Sequence, residues 1–271
     1  MIESITSLQN PLVKRVVNLK QKKYRDKENL FIAEGMRLVE DILRSKAEIK
    51  YVFFVKSSLE NQRMAKIVDS LCICNGKIKL YEVSLAVYEK MAETNEPQGI
   101  MAVVQQKSYV LNEFILPDNP FLIVIDNVQD PGNIGTIIRT AEAAGCHGVI
   151  MTKGCADIYS GKTVRATMGA MFRLPIISNV LYDEIFSFLK AKSIELFTTE
   201  ITNGVEYYKE NYVLPLALVF GNEGNGISTE MLSKSNKKIY IPMSGLGESL
   251  NVGVAAGIIM YEVFRQRNSI A

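Results

Sequence analysis

Phe121-Leu122-Ile123-Val124-Ile125-Asp126-Asn127-Val128-Gln129-Asp130-Pro131-Gly132-Asn133-Ile134-Gly135 is the stretch that decides the fold of this chain. Its continuous apolar run suits a strand buried on both faces of a parallel sheet, where no polar alternation is expected. The polar, glycine-bearing segment that follows leads into a helix predicted at 134–144, and that helix carries Arg139. Strand, loop and helix in this order form one unit of an α/β arrangement. Sheets of that kind collect ligands beyond the carboxyl ends of their strands.

Towards the carboxyl terminus the alternation continues. Strands are predicted at 149–152, 195–199, 216–220 and 238–241, with helices near 162–171 and 182–192, a short helix after Ser228 and a last helix from about 250 to 267. Two more glycine-rich segments fall at strand ends: Gly221-Asn222-Glu223-Gly224-Asn225-Gly226, and the stretch from Ile241 to Asn251 ahead of the last helix. One such loop is ordinary turn chemistry. Three at successive strand ends converge on one edge of a sheet. Glycine lets backbone approach a ligand and leaves N–H and C=O groups as recognition elements. The side chains beside them are amides, a carboxylate, a serine and an arginine, an inventory suited to positioning and charge complementarity rather than to covalent or metal catalysis. In the last helix, Val252, Ala255, Ala256, Ile259 and Val263 form an apolar stripe read as packing, and its small residues would allow close approach across a dimer.

Towards the amino terminus the pattern breaks down over 106–119, which reads as a linker between a domain at 1–105 and one at 120–271. The first hundred residues alternate: a helix at 33–45, a strand at 51–55, a helix at 59–71, a strand at 78–81, a helix at 85–91 and a strand at 100–104. Between Lys14 and Lys27 the chain carries Lys14, Arg15, Lys20, Lys22, Lys23, Arg25 and Lys27 against one acid, Asp26. Such a stretch is either an electrostatic footprint for nucleic-acid phosphates or a solvated helix face.

Composition narrows the chemistry further. With 271 residues, 48% hydrophobic and 22% charged, the chain can bury a sizeable core, and disorder is excluded as its main state. The single histidine, His147, cannot build a multi-histidine metal site, and a Ser-His-Asp triad would hang on that one residue in an apparent turn. Cysteines 72, 74, 146 and 155 lack the C-x2-C spacing of zinc sites and read as free thiols in a reducing compartment. No secretory signal pattern and no membrane-length apolar run is visible, so a soluble intracellular protein is expected. Gly161-Lys162-Thr163 lacks the upstream glycine of a phosphate loop, that position being Ala156, which leaves Lys162 and Arg165 as phosphate contacts or surface charges. Gly221, Gly224 and Gly226 do not match the G-x-G-x-x-G of dinucleotide sites.

Asn133-Ile134-Gly135 with Arg139, Gly221-Asn222-Glu223-Gly224, and Ile241-Pro242-Met243 continuing to Glu248-Ser249-Leu250-Asn251-Val252 resemble the three signature motifs of the SpoU (TrmH-type) RNA ribose 2′-O-methyltransferases, in the SPOUT superfamily. Ile5-Thr6-Ser7-Leu8-Gln9-Asn10-Pro11 and Phe31-Ile32-Ala33-Glu34-Gly35 resemble the substrate-binding domain that precedes the catalytic domain in ribosomal-RNA members. The resemblance implies an α/β fold in which a small ribosomal-protein-like RNA-binding domain precedes a SPOUT-type parallel sheet with a deep trefoil knot. Composition shows nothing of that knot, and the general expectation is an unknotted chain. It further implies S-adenosylmethionine as cofactor, a cytoplasmic homodimer through the knotted domain, no metal and no membrane. The substrate would be RNA, with 23S ribosomal RNA favoured over tRNA; a catalytically silent RNA-binding or ribosome assembly factor is the alternative.

Residue by residue, the resemblance places Thr199, Gly221, Asn222, Glu223, Ile241, Leu250 and Asn251 at the cofactor, and Asn133, Arg139, Glu223, Ser249 and Asn251 in catalysis. Asn133 would orient the ribose. A guanidinium stays protonated, so Arg139 is read as a clamp on the developing alkoxide, with Glu223, phosphate or water left to accept the proton. Ser249 either acts at the site or caps the last helix. Lys14, Arg15, Lys20, Lys22, Lys23 and Arg25, with Lys162 and Arg165, would hold RNA phosphates.

Overall fold

The computed structural model describes residues 2–45, 47–73, 78–201, 203–245 and 249–269. Cys74 and Glu248, both named above, lie outside the described residues. Two compact units emerge: Met1–Lys107 together with Tyr159–Phe172, and Ser108–Ile158 together with Arg173–Ala271. The division falls at 107/108, and residues 108–119, expected as linker, go with the second unit, whose core includes Leu111 and Phe114. Segment 159–172, expected in the carboxyl-terminal domain, instead belongs with the first unit, because its helix packs on a strand there.

The first unit contains β1 (Ile2–Ile5), α1 (Pro11–Asn18), α2 (Lys22–Glu28), β2 (Leu30–Glu34), α3 (Met36–Arg44), β3 (Ile49–Val55), α4 (Gln62–Ile73), β4 (Lys79–Val83), α5 (Leu85–Met91) and β5 (Ile100–Gln105). Its sheet runs β1-β4-β3-β5-β2, with β5 antiparallel to β3 and β2. Side chains alternate between faces: Phe31, Ala33, Val52 and Phe54 pack towards α3 and α4, while Leu30, Ile32, Phe53 and Val55 pack towards α1 and α5. The helix expected from residue 33 is corrected, since Ala33 and Glu34 end β2. Gly35, at φ 109°, makes the turn into α3, a conformation that only glycine adopts readily. β1 escapes the sequence pattern because it is an edge strand with only Ile5 buried.

The second unit contains β6 (Phe121–Ile125), α6 (Pro131–Ala143), β7 (Gly148–Thr152), β8 (Ile176–Val180), α8 (Tyr182–Ala191), β9 (Glu195–Glu200), β10 (Val205–Glu206), β11 (Leu216–Phe220), α9 (Thr229–Lys234), β12 (Lys237–Tyr240) and α10 (Val252–Asn268); α7 (Gly161–Ala166) is the helix counted with the first unit. All seven strands are parallel, in the order β10-β12-β9-β11-β6-β7-β8. The apolar runs of β6 and β11 are buried throughout, as continuous hydrophobic strands in a covered parallel sheet should be. β6 and β11 also mark the place where strand order reverses, so a crevice opens beyond their carboxyl ends. β8 was hidden from the sequence pattern by its polar, exposed Ser178 and Asn179 at the sheet edge.

The lone histidine is structural. His147 Nδ1 accepts a hydrogen bond from the Phe121 backbone N–H at 3.0 Å, and the His147 N–H donates to the Phe121 carbonyl at 2.8 Å, tying the start of β6 to the approach of β7. Burial, reinforced by the nearby Arg267 guanidinium, holds its pKa below the ordinary histidine value. The folded chain therefore resists a proton that the unfolded chain accepts. Stability is full above the unfolded pKa of about 6.5 and falls as pH drops through it towards the lower folded value. Thermal melts between pH 7 and 5 should decline less steeply for His147→Gln, which keeps an acceptor but cannot titrate; equal slopes would remove His147 from that dependence. Cys72, Cys146 and Cys155 are free thiols. Among the described residues no helix is long and apolar enough to cross a membrane.

Candidate active site

The three glycine-rich segments meet at the crevice beyond β6 and β11. In the first, Asp130 caps α6 by accepting the Asn133 N–H at 2.8 Å, and Pro131 supplies a preset helical φ, so Asn133 is fixed in the first helical turn. In the second, Asn222 and Gly226 exchange backbone hydrogen bonds of 2.9 and 3.0 Å, closing the loop on itself. The Asn222 side-chain oxygen accepts the N–H groups of Gly224 and Asn225, at 2.9 and 3.0 Å. At Gly221, which borders the cavity, a Cβ would lie 2.4–2.5 Å from backbone atoms of Gly226 and Ile227. That space is taken by the loop's own chain.

In the third segment Asn251, not Ser249, caps the last helix. Its Oδ1 accepts the Gly253 and Val254 N–H groups at 2.9 and 3.3 Å, which is also why α10 begins at Val252 rather than 250. The same amide uses its nitrogen to donate to Asn133 Oδ1 at 3.0 Å. Asn133 Nδ2 in turn donates to Glu223 Oε1 at 2.8 Å. The Gln129 and Asp130 N–H groups reach the Glu223 carboxylate at 3.4 and 3.2 Å. One residue from each segment is thus joined in a Glu223–Asn133–Asn251 cluster. Partial burial pushes the Glu223 carboxyl up, but these donors outweigh it and leave its pKa below the usual carboxylate range. Glu223 is therefore ionised at neutral pH and a weak base.

Beside the cluster lies a cavity of about 460 Å³. Thr199, Gly221, Asn222, Glu223, Ile241, Ser249, Leu250 and Asn251 all line it, joined by Glu200 and Tyr240 at strand ends that the motifs do not include. Thr199 Oγ1 is itself tied to the Val219 carbonyl at 2.9 Å. Apolar surface from Phe220, Ile227 and Ile259 faces two carboxylates, Glu200 and Glu223, and Glu200 meets Lys238 at 3.0 Å. Size and lining suit a drug-sized ligand with an apolar body and positive charge.

Arg139 is not brought to this cluster. Six residues beyond Asn133 on α6, it is displaced by about 9 Å along the helix and rotated by about 240°. It is exposed, lies outside the cavity lining, and makes no hydrogen bond or ion pair among the described residues. Small residues of α10 also make a contact within the chain. Gly253 lets the helix settle on Thr136 of α6, where a Cβ would approach to 3.0 Å, while at Gly257 a Cβ would make ordinary contact with Thr140 at 3.8 Å. Of the expected stripe, Ala256, Ile259 and Val263 are buried, while Val252 and Ala255 border the cavity.

The basic residues divide. Arg25 is buried and donates to the Leu19 and Lys20 carbonyls at 2.8 Å each, joining α1 to α2. Lys20 is tied to the Lys90 and Ala92 carbonyls, and Arg15 is paired with Glu28 and bonded to Tyr51. These three are engaged in holding the first unit. Lys14, Lys22, Lys23 and Lys27 are exposed, as is Lys162. Arg165 lies 3.6 Å from Glu93.

The model of the SpoU rRNA Methylase family matches residues 120–261, and that of the MRM3-like substrate binding domain matches residues 10–102. The 23S rRNA (guanosine(2553)-2′-O)-methyltransferase RlmP of Bacillus subtilis is 36% identical over 97% of this chain and 99% of its own length. Human mitochondrial rRNA methyltransferase 3 is 30% identical over 92% of this chain and 70% of its own. A crystal structure of an AdoMet-bound rRNA methyltransferase from Sinorhizobium meliloti superposes with a TM-score of 0.86 at 32% identity, covering 97% of this chain and 98% of that one. A parallel sheet with three motif loops gathered at its switch point, and likeness running through both units, lead to one conclusion: the chain belongs to the SpoU rRNA methylase family.

Proposed function

We propose that the chain transfers a methyl group from S-adenosylmethionine to a ribose 2′-hydroxyl of ribosomal RNA, 23S in particular. The observation that carries this reading is the Glu223–Asn133–Asn251 cluster at the edge of a cavity with the size and charge for that cofactor. S-Adenosylmethionine, when bound, supplies an electrophilic methyl carbon on a sulfonium centre. The strand-end loops would hold it, and alignment with the incoming hydroxyl is the main catalytic requirement of an in-line displacement. Glu223 and Asn251 orient the Asn133 amide, whose second N–H is then directed to the ribose. A carboxylate held below its usual pKa is a poor acceptor for the 2′-hydroxyl proton, so Glu223 serves orientation, and phosphate or water takes the proton.

Ribosomal RNA is favoured because the relatives named above carry that substrate in their names and match through the amino-terminal unit as well. The same reading includes a cytoplasmic protein, a trefoil-knotted carboxyl-terminal segment and a homodimer. The dimer finds support in Val254, Tyr261 and Phe264, large apolar residues of α10 that are 52%, 50% and 41% exposed. Arg139, exposed on α6 and apart from the cluster, would contact RNA rather than the cofactor. Two measurements test the reading: calorimetric titration with S-adenosylhomocysteine, and mapping of 2′-O-methyl sites in 23S RNA with and without the gene. An unchanged methylation map would overturn it.

The RNA grip falls to the exposed lysines. Reversing Lys14, Lys22, Lys23 and Lys27 to glutamate should weaken RNA binding and flatten its salt dependence by about one logarithmic unit of slope per lost phosphate contact. Cofactor affinity should not move. Reversing Arg25 should instead lower the melting temperature, because its guanidinium is buried against backbone carbonyls. RNA affinity unaffected by the lysine reversals would return them to a solvated face.

A further inference from the structure

Asp126 is fully buried at the end of β6, and no step of the proposed reaction uses it. A buried carboxylate is costly unless donors surround it. Its Oδ1 accepts from the Tyr182 hydroxyl at 2.8 Å, the Thr152 hydroxyl at 3.2 Å and the Asn127 amide at 3.3 Å. Its Oδ2 accepts the Ser228 N–H at 2.8 Å. One oxygen thus gathers α8, the end of β7 and the first loop, while the other holds the segment after β11. The carboxylate thus ties the chain after β11, which continues from the cavity-lining 220–227 stretch, to α8 and the end of β7.

Asn127 extends the network. It sits in the left-handed region at φ 56°, with its N–H on Thr152 Oγ1 at 3.0 Å and its side-chain nitrogen on the Tyr182 oxygen at 2.9 Å. Its carbonyl, turned by that conformation, accepts the Asn222 side-chain nitrogen at 2.8 Å. Gly154, itself at φ 108°, leaves the space: a Cβ there would fall 2.2 Å from Asn127 Oδ1. An unbroken path of hydrogen bonds runs from Tyr182, outside all three motif segments, to Asn222 in the cavity wall.

We infer that Asp126 and Tyr182 are positioning residues for the proposed methyl transfer, holding Asn127 in its left-handed conformation and, through Asn222, setting the 221–226 loop against the cofactor cavity. The inference rests on the function proposed above. Tyr182→Phe removes the hydroxyl and keeps the ring beside Phe186. With the protein still folded at 25 °C, its S-adenosylhomocysteine Kd should rise and its kcat fall, each by about five- to tenfold, the upper part of the range for losing one hydrogen bond of ordinary net strength. KM for RNA should stay within about twofold. Thr152→Val reads the same carboxylate from β7 and should behave alike, while Thr152→Ser, which keeps the hydroxyl, should restore wild-type values. Adding Asp126→Asn to Tyr182→Phe should cost less than the sum of the two single changes, because both act through one contact. A lower melting temperature with Kd and kcat unchanged in Tyr182→Phe and Thr152→Val would overturn the inference. Wild-type protein that binds no S-adenosylhomocysteine would remove the functional reading and this inference with it, a failure visible before any substitution is made.

Discussion

Alanine at Asn133 is expected to lower kcat on ribosomal RNA by about 10²- to 10³-fold, the usual cost of removing one preorganised donor at a reacting centre. Affinity for S-adenosylhomocysteine should change far less, because Asn133 does not itself line the cavity. Its amide works at both ends: Nδ2 holds Glu223, and Oδ1 receives Asn251. Removing it breaks the two hydrogen bonds that join three segments distant in sequence and takes away the amide that the proposed reaction directs to the ribose. Asn133→Asp should be no better, since a carboxylate would face Glu223 at hydrogen-bond distance and the two charges would repel. Single-turnover methylation with saturating RNA separates the chemical step from binding. A kcat within about fivefold of wild type would take Asn133 out of the mechanism.

How far sequence carries towards this site is clearest on α6. Asn133 and Arg139 belong to one motif, and a motif read as a string treats them as neighbours. Helical geometry separates them, because six residues return to a different face, while Glu223 and Asn251, about a hundred residues away, become the true partners of Asn133. The buried strands β6 and β11 were legible because a continuous apolar run at a covered parallel sheet admits little else. Charge was the less informative signal. Arg25 and Lys20 look like surface in a basic string, yet both spend their donors on backbone carbonyls. Tyr182 left no trace in the string at all, since nothing about an isolated tyrosine at a helix start reveals a buried carboxylate just beyond β6.

The glycines at 221, 224 and 226 look equivalent in the sequence, but alanine at each should give a different result. At Gly221 the added Cβ would meet backbone of Gly226 and Ile227 at 2.4–2.5 Å, and backbone cannot swing aside as a side chain does. The Asn222–Gly226 bridge must open, displacing Glu223 and the cavity wall together. A shift of about 1 Å at a reacting centre costs about a hundredfold in rate, so Gly221→Ala should lose that much kcat and most of its S-adenosylhomocysteine binding. Gly226 has open space for a Cβ but sits at φ 70°, so alanine there pays about 1 kcal/mol of backbone strain and should still bind the cofactor. At Gly224 the nearest atom is the Asn222 side-chain oxygen at 3.7 Å, and alanine should be close to neutral. Melting curves and cofactor titrations on the three variants rank them directly. Gly221→Ala binding as tightly as wild type would mean that the closed 221–226 loop does not shape the cavity, and the case for Glu223 as an orienting carboxylate would fall with it.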